Sequence, residues 1–195
     1  MIPNRINVKF FVENDESLDL MAVGAVFHRW IQTAAVPGRL LDVADYKHVP
    51  QGPGILLVGN DGDYGLDLGN GRSGLLYTHK REWPGDGLHE RLRLTWQRAL
   101  QATVLLADEP ALALDFRADE VEIAFVDRLH LPNTDEVLTA VYDEIVSLLR
   151  ELTGDESVSI ARSEGDVRRP FTLHVSIPSS PTLADLLANV VAVPI

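Results

Sequence analysis

The side chains best suited to chemistry gather between residues 40 and 80: Asp42, Asp45, Tyr46, His48, Asp61 and Asp63. A carboxylate beside an imidazole can hold the ring as a general base. His48 with Asp42 or Asp45 is therefore the first candidate catalytic set. On a strand, Asp42 and Tyr46 share one face and Asp45 takes the other, while His48 stands in the loop that follows. An acidic solvent face followed by an exposed loop histidine would give the same letters. Tyr46, Trp30, Asp61 and Asp63 are the candidate ligand-binding residues, and in an enzyme Asp61 and Asp63 would stabilise charge or hold a metal.

The Asn60-Asp61-Gly62-Asp63 run, with Asp67 and Asn70 behind it, offers hard oxygen ligands of the kind calcium and magnesium take. Counted from Asp61, however, the fifth position of a calcium loop is Gly65 and the twelfth is Arg72, where a bidentate Glu is required. Tight hairpins demand the same Asn, Asp and Gly residues. No metal site is expected. Nor is a nucleotide cofactor. Pro50-Gln51-Gly52-Pro53-Gly54 lacks the Lys-Ser/Thr of a phosphate loop and leads into an apolar run rather than a helix start. No HxxxH, HExxH or G-x-S-x-G spacing occurs, which removes the common zinc-protease and serine-hydrolase signatures.

The elements that must position these residues follow from periodicity and punctuation. Ile6–Val12 reads as a strand. The cap-rich residues 13–17 then lead into a helix to about Thr33, with Leu20, Val23, Phe27, Trp30 and Ile31 on one face. Residues 39–46 form a strand, and 47–54, with two prolines and two glycines, an irregular connection. Residues 54–79 read as a three-stranded meander turning at Gly59–Gly62 and Gly69–Gly71. A long helix spans about 89–107. Strand, helix, strand, strand and helix follow at 119–127, 135–152, 157–161, 171–177 and 183–191.

This order predicts an α+β fold: a mixed, mostly antiparallel sheet with helices packed on it, because short turns outnumber helical crossovers. Residues 1–110 and 111–195 read as two pseudo-repeated βαββα units, the first enlarged by a hairpin, within a single domain 1–195. An accidental recurrence of a common motif explains the similarity equally well. Such units could place their helices on one side of a joint sheet.

Composition bounds the partners. The net charge is −12, a balance that repels phosphate backbones and anionic membranes. The imbalance lies mostly in the second half: residues 1–110 carry 11 Lys/Arg against 14 Asp/Glu, and residues 111–195 carry 6 against 15. No apolar run approaches the ~20 residues of a bilayer span. The absence of cysteine removes disulfides and thiolate chemistry. With no secretory pattern in MIPNRINVKF, a cytoplasmic location is expected.

VFHRWIQ (26–32), LLDVADYKHVPQGPGILLVGNDGDYGLD (40–67), GLLY (74–77) and DRLHLPNT (127–134) together resemble a bacterial protein family of unknown function. The resemblance spans most of the chain and implies a shared fold and length. It brings no established activity. The family carries Gly-His-Glu where this chain has Gly59-Asn60-Asp61, so no imidazole role transfers to that turn.

The expected function is a soluble module that binds a small molecule or a protein. Exposed sheet edges and the apolar tail Val190–Ile195 suggest a homo-oligomer. The alternative is a hydrolase or isomerase working through the His/Asp set of residues 42–63.

Overall fold

Alternation along the strands decides the architecture. In the computed structural model, which describes residues 2–14, 18–83 and 85–192, the elements run β1 (Ile6–Val12), α1 (Leu20–Thr33), β2 (Leu40–Tyr46), β3 (Gly54–Gly59), β4 (Gly62–Asp67), a 3-10 turn (Gly69–Gly71), β5 (Gly74–His79), α2 (Leu88–Ala107), β6 (Phe116–Phe125), α3 (Asp135–Thr153), β7 (Ser159–Arg162), β8 (Phe171–Ser176) and α4 (Leu183–Ala192). The eight strands form one sheet in the order β2-β3-β4-β5-β1-β6-β8-β7. Its strand pairings are antiparallel. The α+β class expected from the turn pattern is what the chain adopts. The first strands of the two halves, β1 and β6, lie side by side at the centre, and each is flanked on its other side by the last strand of its own half.

One face of the sheet is apolar. Val8 and Phe10, Leu57, Leu66, Leu75, Ile123 and Leu173 are fully buried and belong to a single cluster that also takes in the inner faces of the four helices. Each such side chain contributes roughly 1.5–3 kcal/mol when withdrawn from water. Trp96 of α2 anchors the cluster, edge-on to Phe10 with ring centroids 5.4 Å apart. Trp30, considered above as a ligand-binding residue, is 4% exposed and packs on Phe27 in this core. Its place at the four-residue helical spacing from Val26 explains why.

Helix ends follow local chemistry. Asp19 caps α1, its Oδ1 accepting from the amides of Met21 and Ala22 at 2.9 and 3.1 Å. The cap therefore falls just beyond the cap-rich residues 13–17, of which 15–17 lie outside the described residues. Thr134 caps α3, Asp135 and Glu136 stand in its first turn, and Gly154 ends it at φ 69°, as the helix dipole and the left-handed C-terminal turn favour.

Among the described residues, the opposite face carries no helix. One register row crosses all eight strands there: Ala44, Leu56, Gly65, Leu76, Lys9, Glu122, His174 and Ala161. The apolar tail divides. Val190 is buried, while residues 193–195 lie outside the described residues.

Candidate functional site

The anticipated centre is spread over an edge, a face and a turn. Asp42 and Tyr46 sit on edge strand β2, exposed. Asp42 accepts from the amide of Val43 at 2.8 Å. Asp45 accepts from the Lys47 amide at 2.9 Å and pairs with the Lys47 ammonium at 2.9 Å. That hydrogen bond holds its carboxyl below the usual range. His48 is exposed in the following turn; its ring centre lies 6.4 Å from that of Tyr46, and among the described residues it forms no hydrogen bond or ion pair. Asp63 faces the helix-free side and is held by Lys80 at 2.7 Å and by the Gly59 amide at 3.1 Å. Asp61 lines a cavity.

That cavity, of about 230 Å³, is built where four segments meet. Pro37–Leu40 comes from the α1–β2 connection, Gly59–Gly62 from the β3–β4 turn, Tyr77 and His79 from β5, and Leu94 and Arg98 from α2. Backbone bonds staple the segments together. The Asn60 amide donates to the Arg39 carbonyl at 2.8 Å, and the Lys80 and Arg81 amides both donate to the Asp61 carbonyl, at 2.9 and 3.1 Å. The Tyr64 hydroxyl donates to the Pro37 carbonyl at 2.9 Å. Leu94 and Arg98 are four residues apart, one helical turn, so they line the same wall. Glu82 closes the rim in the left-handed region, φ 55°, a conformation that costs a non-glycine residue energy and is concentrated at binding and catalytic sites.

The floor is aromatic. Tyr64 and Tyr77 rings are 4.6 Å apart, Tyr77 Oη and His79 Nδ1 share a 2.9 Å hydrogen bond, and the His79 ring lies 4.1 Å from that of Trp83. Gly62 makes the arrangement sterically feasible: a Cβ there would stand 2.4 Å from Tyr77 Oη. His79 is 3% exposed, and its Nε2 makes no hydrogen bond. Burial pushes the imidazole below its ordinary value, while the Arg81 and Glu82 carbonyls and Asp61 lean the other way. Burial likewise pushes both tyrosine hydroxyls upward. The ring is thus neutral at pH 7, with Nδ1 held by Tyr77 and the Arg81 and Glu82 carbonyls beside it.

The charges at this cavity are unusual in being unspent. Arg98 is half-buried and forms no hydrogen bond or ion pair among the described residues. The Asp61 carboxylate accepts from Asn60 Nδ2 at 2.6 Å and has no cationic partner within ion-pair distance among the described residues. A larger groove of about 690 Å³ on the helix-free face differs here. Its Lys9 is paired with Asp67 at 2.6 Å, its Arg72 with Glu120 at 2.5 and 2.9 Å, and its His174 bonds Ser163 Oγ at 2.7 Å. Asn7 Oδ1 and His174 Nδ1 of this groove are also buried without a hydrogen bond among the described residues, but its buried cation, Lys9, is already spent on Asp67, which leaves less charge for a ligand to gain.

Sequence reasoning located Asp61 but not Tyr77, His79 or Arg98. Strand parity held a signal: Leu75, Tyr77 and His79 share one face, so a core-facing leucine places the histidine inward. Arg98 carried none. No protein-family model matches the chain, and no curated protein matches it either.

Proposed function

We propose that this protein binds a small molecule in the cavity between the β3–β4 turn and α2. The observation that carries this reading is that Asp61 and Arg98, neither ion-paired among the described residues, line one cavity beside the buried His79 ring. A hydrogen bond to a charged group is worth roughly 1.5–3 kcal/mol, which a ligand meeting both charges would gain. The volume is just under the ~300–1,000 Å³ of pockets for drug-sized ligands, so the ligand is metabolite-sized. The test is nitrogen-15 NMR of the imidazoles during a metabolite screen. A true ligand moves the His79 resonances, leaves those of surface His48 and His28 unchanged, and raises the unfolding midpoint. Binding that leaves His79 unmoved would refute the reading, as would undiminished binding in a Leu94→Trp variant designed to fill the cavity.

Self-association is a second reading, supported by edge strand β2. Leu41 is 51% and Tyr46 40% exposed along it, with Val49 and Met21 also exposed close by. Unpaired strand edges with apolar side chains are ready templates for a second chain. Native mass spectrometry that finds only monomer at micromolar concentration would remove it.

A further inference from the structure

The charge pattern of the same cavity specifies the kind of molecule it takes; this inference rests on the small-molecule reading just given. Asp61 and Arg98 line one space of about 230 Å³, and neither has an ion-pair partner among the described residues, including each other. Both bear on the same aromatic floor. Asp61 shifts Tyr64, Tyr77 and His79 in one direction and Arg98 shifts them in the other. Both side chains are only half-buried, and two opposite charges lining one small space can be satisfied together by a bridging molecule.

We infer that the ligand is a small zwitterion, with its ammonium end at Asp61 and its carboxylate end at Arg98. The α-amino acids are the commonest such molecules of this size. The recognition chemistry is distinct at each end. The guanidinium presents a planar fork that matches a carboxylate. Asp61 Oδ1 is engaged by Asn60 Nδ2 at 2.6 Å, whereas Oδ2 lies 3.9 Å from the point where a Cβ on Gly38 would stand. Gly38, at φ 107°, borders Oδ2 with no side chain of its own. Exposed Arg39 and Glu82 at the rim repeat the two signs. The neutral, buried His79 ring lines the same space. A purely anionic ligand would meet Asp61, and a purely cationic one Arg98, so each would leave one charge opposed.

The experiment follows His79 by nitrogen-15 NMR in the full-length protein. The probes are the standard α-amino acids with uncharged side chains and γ-aminobutyrate at millimolar concentration, each beside its singly charged relatives: the amide or ester lacking the carboxylate, and the N-acetyl form lacking the ammonium. At least one zwitterion is expected to move His79, with both relatives weaker by about tenfold or more, the worth of a charge-assisted bond. Asp61→Asn should remove the preference over the N-acetyl form alone, and Arg98→Gln the preference over the amide alone. Asp61→Asn is isosteric and leaves the backbone carbonyl that holds Lys80 and Arg81 in place, so loss of fold does not confuse the result. If a relative binds as tightly as its zwitterion, or if a neutral metabolite moves His79 where no zwitterion does, the inference fails while the cavity reading stands. If no probe and no metabolite moves His79, both fail together.

Discussion

Gly62→Ala is the most informative single change, because it loads the floor of the cavity without touching a charge. The added Cβ would lie 2.4 Å from Tyr77 Oη, 2.6 Å from Cζ and 2.8 Å from the Thr78 carbonyl oxygen. Two of these atoms belong to a side chain that cannot retreat, since the Tyr64 ring stands behind it at 4.6 Å, and the third is backbone. Either Tyr77 releases His79 Nδ1, or β4 and β5 part where Gly62 pairs with His79. Overpacking a tight core costs about 1–3 kcal/mol, and a lost buried hydrogen bond adds about 1 kcal/mol. The expected destabilisation is therefore about 2–4 kcal/mol. At roughly 2–4 °C per kcal/mol for a chain of this size, the midpoint falls by about 4–16 °C. Gly24→Ala supplies the control. Gly24 lies inside α1, and a Cβ added there would meet nothing within 4 Å, so the substitution should be neutral or stabilising by up to about 1 kcal/mol. Urea and thermal unfolding measure both, and the His79 NMR signals report whether its bond to Tyr77 survives. A Gly62→Ala protein as stable as the parent, or one no less stable than Gly24→Ala, would refute the close-packing argument.

Three further outcomes are expected. Lys9 is 3% exposed on the helix-free face and pairs with Asp67; Lys9→Met leaves that carboxylate with only the Gly69 amide, at 3.1 Å, and should cost about 1–3 kcal/mol in urea unfolding, most of it restored in Lys9→Met/Asp67→Leu. Because burial lowers the His79 pKa from its ordinary 6.5, the unfolded chain takes up the proton first. Stability should be full above pH 6.5 and decline as pH falls from there toward the folded value, a decline that His79→Gln should lessen in thermal melts across that range. Asp155 accepts from the Ser157 hydroxyl and amide and from the Ser179 amide, which together hold its carboxyl far below 3.8. Asp155→Asn should lower the midpoint at pH 7 and flatten the loss of stability below about pH 4; equal acid slopes for variant and parent would count against it.

Legibility followed the range of the interactions. Alternation in Phe171–Ser176, the helical spacing of Val137, Val141, Ile145 and Leu149, and the Asn/Gly turns at 60 and 70 are local. The sequence determined these, and with them the α+β class and the antiparallel meander. The reason is that pleat and helical pitch act on neighbouring residues, as does the positive φ of Asn70 and Gly71 at the second turn, while close approach requires the glycines of the first. Even Trp30 was placed by its spacing on the buried face of its helix, although its chemistry suggested a ligand. Tertiary structure alone decided which polar groups meet. Asp42, Asp45 and His48 are close in sequence but are divided by strand parity and a solvent-facing turn. Asp61, His79 and Arg98 are far apart along the chain and line one cavity, because the Asp61 carbonyl captures the amides that follow β5 while α2 packs across that strand. No local pattern encodes such a meeting. It exists only once burial has fixed the helix on the sheet, and that burial is also what pushes the His79 imidazole below its ordinary value.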